Sequence, residues 1–217
     1  MARAVIFVGP SLPGPRPERP GLGYAPPARR GDLIAAARGG ASVIGLVDGV
    51  FHQDLAVTPR EVRDAAGAGA RLFGAASMGA LRACDCPDAM TGVGAVYEAF
   101  RDGVLVGEDE VAGTFAADSY QVIAYPLVHV RGAAALALER GLVSQAAIRG
   151  FLDRVAELSF EQRTLPVLAG LAAAWLDGVD LAGLLADPAA DVKARDARAL
   201  IARVAAALGE PPEPSEA

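Results

Sequence analysis

Residues 70–82, ARLFGAASMGALR, set one hydroxyl among side chains of almost no bulk. ARLFGA reads as a short apolar strand and MGALRACD as the helix after it, so Ser77 stands at a strand-to-helix turn. Two readings compete for the small residues. A strand packed closely on a helix needs them, and so does a nucleophile turn, where the backbone bends sharply and exposes a serine. Ala75, Ser77 and Gly79 form A-x-S-x-G, a near relative of the G-x-S-x-G turn. The free amides of the new helix's first turn can then hold a developing oxyanion. A serine that merely caps the helix explains the same letters.

Upstream, AVIFV at 4–8 and SVIGLVDG at 42–49 read as buried strands. Between them lies GPSLPGPRPERPGLGYAPPARRG, too rich in proline for a helix or a central strand and read as a long loop. Asp32 is the expected N-cap of a helix over LIAAAR, closed by Gly39-Gly40. Thr58-Pro59-Arg60-Glu61 has the form of a capping box with proline at the first helical position. Strand and helix alternating three times predict an α/β fold: a small parallel sheet with flanking helices, a Rossmann-like three-layer core. The strands of such a sheet share one carboxyl edge, where ligands bind. GPSL, DGVFH and ASMG leave the three strands there, bringing Ser11, Asp48, His52 and Ser77 to one side.

From about residue 132 the pattern turns helical. SQAAIRGFLDRVAELSF has Ser144 as cap and an apolar stripe at Ile148, Phe151, Leu152, Val155 and Leu158. Further helices are expected through EQRTLPVLAGLAAAWLDG and VKARDARALIARVAAALG, and EPPEPSEA reads as a disordered tail. The expected divisions are an α/β core over 1–131, a helical region over 132–208 and a tail over 209–217.

The formal charge is −6 with no basic run, which gives nucleic acid little to bind. Val167 to Leu176, the longest apolar stretch, is about half a membrane span, and the apolar start is too short for a signal peptide. A cytoplasmic protein without membrane or nucleic-acid partners is the expectation. Cys84 and Cys86 form a C-x-C with no second ligand pair nearby, so no metal and no cofactor is called for. Of the twenty basic residues, Lys193 is the sole lysine.

A serine nucleophile needs a base. His52 follows the second strand, with Asp48 at that strand's end; His129, in YPLVHVR, alternates with apolar residues as in a strand or extended segment. Each histidine could equally be structural. Arginine stays protonated, so it can bind an anion but not act as an ordinary base. Glu108-Asp109-Glu110 could hold a metal or meet a basic partner, but with no histidine beside it the run is read as the solvated start of a helix.

The series IFVGPSLP, PPARRGD, IGLVDGVFH, AVTPREV, GAASMGALRA, GVGAVYEAFRDG, EDEVA and YPLVHVR resembles the TfuA-like family, in order, over residues 5 to about 131. The resemblance implies an accessory role beside a YcaO enzyme, which activates a backbone amide of a precursor peptide with ATP, in making ribosomally synthesised thioamide natural products. It also implies hydrolysis of the thiocarboxylate at the end of a ubiquitin-like sulfur carrier, which releases sulfide, and help for the YcaO enzyme in engaging its peptide. The family site is a serine–lysine pair, and Ser77 matches the serine.

The lysine is where the chain departs. The family's His-Lys-Glu segment reads Pro59-Arg60-Glu61 here, a second lysine-bearing segment reads Pro26 to Arg30, and Lys193 lies outside every shared motif. Three explanations stand: His52 or Asp48 is the base, Arg60 or Arg29 only binds the thiocarboxylate, or hydrolysis is lost and docking kept. The expected catalytic set is Ser77, Arg60, His52 and Asp48, with Ser11, Arg29, Gly79 and Arg82 binding substrate. The alternatives are a non-catalytic adaptor for the YcaO enzyme and its peptide and, ranked lower, a stand-alone serine hydrolase.

Overall fold

The computed structural model describes residues 3–51 and 55–209. Five parallel strands, β1 (Ala4–Phe7), β2 (Leu22–Ala25), β3 (Val43–Leu46), β4 (Arg71–Ala75) and β5 (Met90–Val93), form one sheet in the order β2-β1-β3-β4-β5. The three strands expected from sequence are its centre. β2, inside the proline-rich segment expected to be loop, and β5 are its two edges.

The crossovers pass through α1 (Asp32–Arg38), α2 (Pro59–Gly67) and α3 (Met78–Asp85). All three step across the sheet in the same direction, so one hand of crossover puts all three helices on one face. They do lie together there: Leu33, Val62, Ala65, Met78 and Ala83 share a core cluster with Ile44, Leu46 and Leu72. Strand alternation turns Ile6, Val43 and Phe73 to the opposite face, which those helices leave bare. A parallel sheet needs both faces covered.

The second cover comes from the far end of the chain. After α4 (Ala95–Arg101), a 3-10 turn (Glu108–Glu110) and the antiparallel pair β6 (Thr114–Phe115) and β7 (Val122–Ala124), the chain is helical. It runs through α5 (Leu127–Glu139), α6 (Gln145–Ala156), α7 (Leu165–Trp175), α8 (Leu181–Ala186) and α9 (Val192–Ala207). Helices α5 to α8 bury their own cluster around Phe151 and Leu168. α9 instead lays Ala197, Leu200, Ile201 and Val204 on the bare face.

The polar contacts of α9 fix its direction. Arg3, before β1, and Arg71, opening β4, donate to the carbonyls of Leu208 and Ala207 at the helix's end. Asp196, one turn into the helix, accepts the Ala95 and Val96 amides beyond β5 at 3.1 and 2.8 Å. α9 therefore runs against the strands, and its first turn stands at their carboxyl edge.

Local expectations needed three corrections. Gly31, at φ 97°, occupies the N-cap of α1, and Asp32 is the first helical residue, accepting the Arg29 amide at 2.7 Å. Thr58 caps α2, accepting the Glu61 amide at 3.2 Å, but Glu61 turns away from the box and accepts the Leu33 amide at 2.9 Å, tying α2 to α1. His129 lies in α5, where Pro126 supplies the entry and the short apolar alternation becomes a helix face. The Ser144 cap of α6 is present, accepting the Ala147 amide at 3.2 Å.

Candidate active site

Ser77 follows a strained bend. Its amide donates to the Ala75 carbonyl at 2.7 Å across Ala76, whose φ is 64°. A bond two residues back over a positive φ is the rarer, strained γ-turn, and strain of this kind collects at functional sites. The turn puts Ser77 at the N-cap of α3, yet its hydroxyl makes no capping bond. Simple capping therefore does not account for the serine.

The glycines answer to packing. A Cβ on Gly79 would sit 1.8 Å from the Leu46 carbonyl oxygen, and one on Gly74 would sit 2.2 Å from that of Gly79. The Gly79 amide donates to the Val47 carbonyl at 3.2 Å, and those of Ala80 and Leu81 go to the Ser77 carbonyl. Of the first-turn amides of α3, that of Met78 has no hydrogen-bond partner among the described residues.

At the crevice between β1 and β3, where the strand order reverses, Asp48 accepts the Gly9 and Ser11 amides at 2.8 and 3.0 Å and the Ser11 hydroxyl at 2.6 Å. Asp48 and Ser77 line one pocket of about 190 Å³, with Gly49 and Phe51 among its walls. The third polar side chain in that pocket is Lys193. It stands on the first turn of α9, 4% exposed, and its Nζ donates to the Val111 carbonyl at 3.0 Å. Burial pushes its pKa down, and the charges of Asp48 and Asp191 offset this only in part.

Beside the pocket, sharing Phe51, Ala112 and Phe160 as walls, runs a groove of about 430 Å³. Arg82 lines it, held by the Val57 carbonyl at 2.7 Å and by Asp85, with Glu108 at 3.8 Å. Arg29 and Arg60 line neither cavity. Arg60 is 90% exposed and pairs with Asp64 at 3.7 Å, and Arg29 is exposed beside α1. His52 lies outside the described residues.

A family model described as TfuA-like protein matches residues 48–164, more than half of the chain. The chain belongs to the TfuA-like family. That membership carries a role in thioamidation-related biosynthesis, and the family is associated with YcaO enzymes. No curated protein matches the chain. The matched span begins at Asp48, takes in Ser77 and stops short of Lys193. Sequence reasoning passed over Lys193 for the same reason. Two signals pointed to it: it is the sole lysine of an arginine-rich chain, and it opens a helix that the uncovered sheet face requires.

Proposed function

We propose that this TfuA-like protein releases sulfide from a thiocarboxylated ubiquitin-like sulfur carrier and supplies it to a YcaO enzyme that makes a thioamide in a precursor peptide. The observation that carries the reading is Lys193 in the same small pocket as Ser77. Arginine at the two family lysine positions then marks a change in the base's address, not its loss. A buried amine with depressed pKa is poised to be neutral and to act as general base.

In this reading the Lys193 amine takes the Ser77 proton as the oxygen attacks the thiocarboxylate carbon. The Met78 amide faces the oxyanion. The carbon–sulfur bond breaks, sulfur leaves with the proton held by Lys193 as hydrosulfide, and an acyl-serine remains. Water, deprotonated by the same amine, then opens the ester and restores Ser77. Sulfide is a better leaving group than an amine, so the demand on acid catalysis is modest. Asp48, fixed by the Ser11 amide and hydroxyl, lines the pocket, and Arg82 lines the adjoining groove.

The test is sulfide release from a thiocarboxylated carrier by the native protein, Ser77→Ala and Lys193→Met. Both variants are expected to lose at least about a hundredfold in rate. Rates equal to native in both, with thioamide formation by the YcaO enzyme intact, would leave the adaptor role in place of hydrolysis.

A further inference from the structure

The segment from Glu108 to Ala112 is held from two directions. Arg131, on α5, sets Nε and Nη2 on the two carboxylate oxygens of Glu110 at 2.9 and 2.7 Å, a fork meeting a fork. Arg163, at the end of the 3-10 turn Phe160–Gln162, is wholly buried. It donates to the Asp109 carboxylate at 2.6 Å and to the carbonyls of Asp109 and Leu158 at 2.8 and 3.0 Å. The next residue, Val111, is 1% exposed, and its carbonyl is the one that accepts from Lys193.

Stability alone does not explain this arrangement. Burying an arginine costs several kcal/mol unless every donor is matched, and among the described residues Arg163 Nε has no partner. A surface acidic run would need neither clamp. What the clamps do fix is the backbone between two secondary elements, at the carbonyl that meets the amine.

We propose that Arg131 and Arg163 are positioning residues for Lys193: through Glu110 and Asp109 they hold the Val111 carbonyl on one N–H of the amine, turn its lone pair toward the Ser77 pocket and keep water out. The inference rests on Lys193 being the base of the proposed hydrolysis, since an unaimed or hydrated amine serves poorly in that role. Besides Val111, the groups facing the amine are Asp48 beyond β3, Asp191 before α9, and the Phe115 ring of β6 with its centre at 5.9 Å. Glu110 and Asp109 face their arginines.

Because the chain has one lysine, protein labelled with 13C-lysine gives one side-chain Cε signal, and its titration reads the amine without substrate. We compare native protein with Glu110→Gln and Asp109→Asn. Loosening the segment admits water, so the midpoint of the signal is expected to rise by about one pH unit or more in both. The acid limb of the pH–rate profile for sulfide release should move up with it, and high pH should recover part of the lost rate. Merely structural damage would scale the rate equally at every pH. Midpoints at the native value in both folded variants overturn the proposal. Arg131→Gln, which removes the fork and leaves Lys193 the one lysine, is titrated in the same way if Glu110→Gln does not fold. Failure of the hydrolytic reading shows separately, as unchanged sulfide release by Ser77→Ala.

Discussion

Asp48 spans the crevice to Ser11, its Oδ1 accepting the hydroxyl at 2.6 Å while Oδ2 accepts the amides of Gly9 and Ser11. Three donors from the turn after β1 thus converge on one buried carboxylate at the end of β3. The pairing bridges the reversal point of the sheet, beside which Ser77 and Lys193 share their pocket. Ser11→Ala removes one charge-assisted bond from a closed environment and is expected to cost about 1.5–3 kcal/mol. Urea unfolding of Ser11→Ala, Asp48→Asn and the double variant measures it. Strict additivity of the two single effects would show that the residues do not couple.

The contact of β3 with α3 makes a second claim. Gly79 has the Leu46 carbonyl where a side chain would begin, and that atom is backbone, so no rotamer change relieves the clash. Gly79→Ala is expected to destabilise by about 3 kcal/mol or more and to move the start of α3, and Ser77 with it. Gly67→Ala, where a Cβ meets nothing within 4 Å, is the control and should be close to neutral. Thermal unfolding of the two variants decides between packing and nucleophile-turn accounts of the small residues: a harmless Gly79→Ala would remove the packing account.

These glycines also show how far the sequence could be read. β1, β3 and β4 are buried on both faces and announce themselves as apolar runs. β2 and β5 pair on one side only, and most of their residues are half-buried, so LGYA and MTGV carry no such run. Ser77 and Asp48 were legible because each ends a recognisable strand. Lys193 was not, because its place depends on a long-range requirement: a bare sheet face recruiting α9, and Arg3, Arg71 and Asp196 fixing that helix's direction. Glu61 fits the box pattern equally well in sequence, yet a buried amide of α1 claims its carboxylate.

Lys193 should cost the fold what it gives the site. Its pKa is lowered in the folded state, so the unfolded chain binds the extra proton at pH values between the folded and ordinary lysine values. Stability therefore rises with pH across that window and is insensitive to this group below it. Lys193→Met removes the buried amine and keeps an apolar stem of similar length. Its Tm near neutral pH is expected to rise by about 2–4 °C, and the alkaline increase in stability should shrink. A lower Tm than native would mean that the bond to Val111 outweighs desolvation of the amine.

The same sign carries over to catalysis. Only the neutral amine accepts the Ser77 proton, so kcat/KM for sulfide release should climb with pH along the free-enzyme titration of Lys193. It should level off before the ordinary lysine range near about pH 10.4. Lys193→Arg separates charge from basicity at this position. The guanidinium can occupy the pocket and attract an anion, yet it keeps its proton throughout. Binding of the thiocarboxylated carrier is expected to persist in that variant while turnover falls at least about a hundredfold and loses the pH limb. A Lys193→Arg protein with native turnover would assign the amine to anion binding and return the role of base to another group at the carboxyl edge.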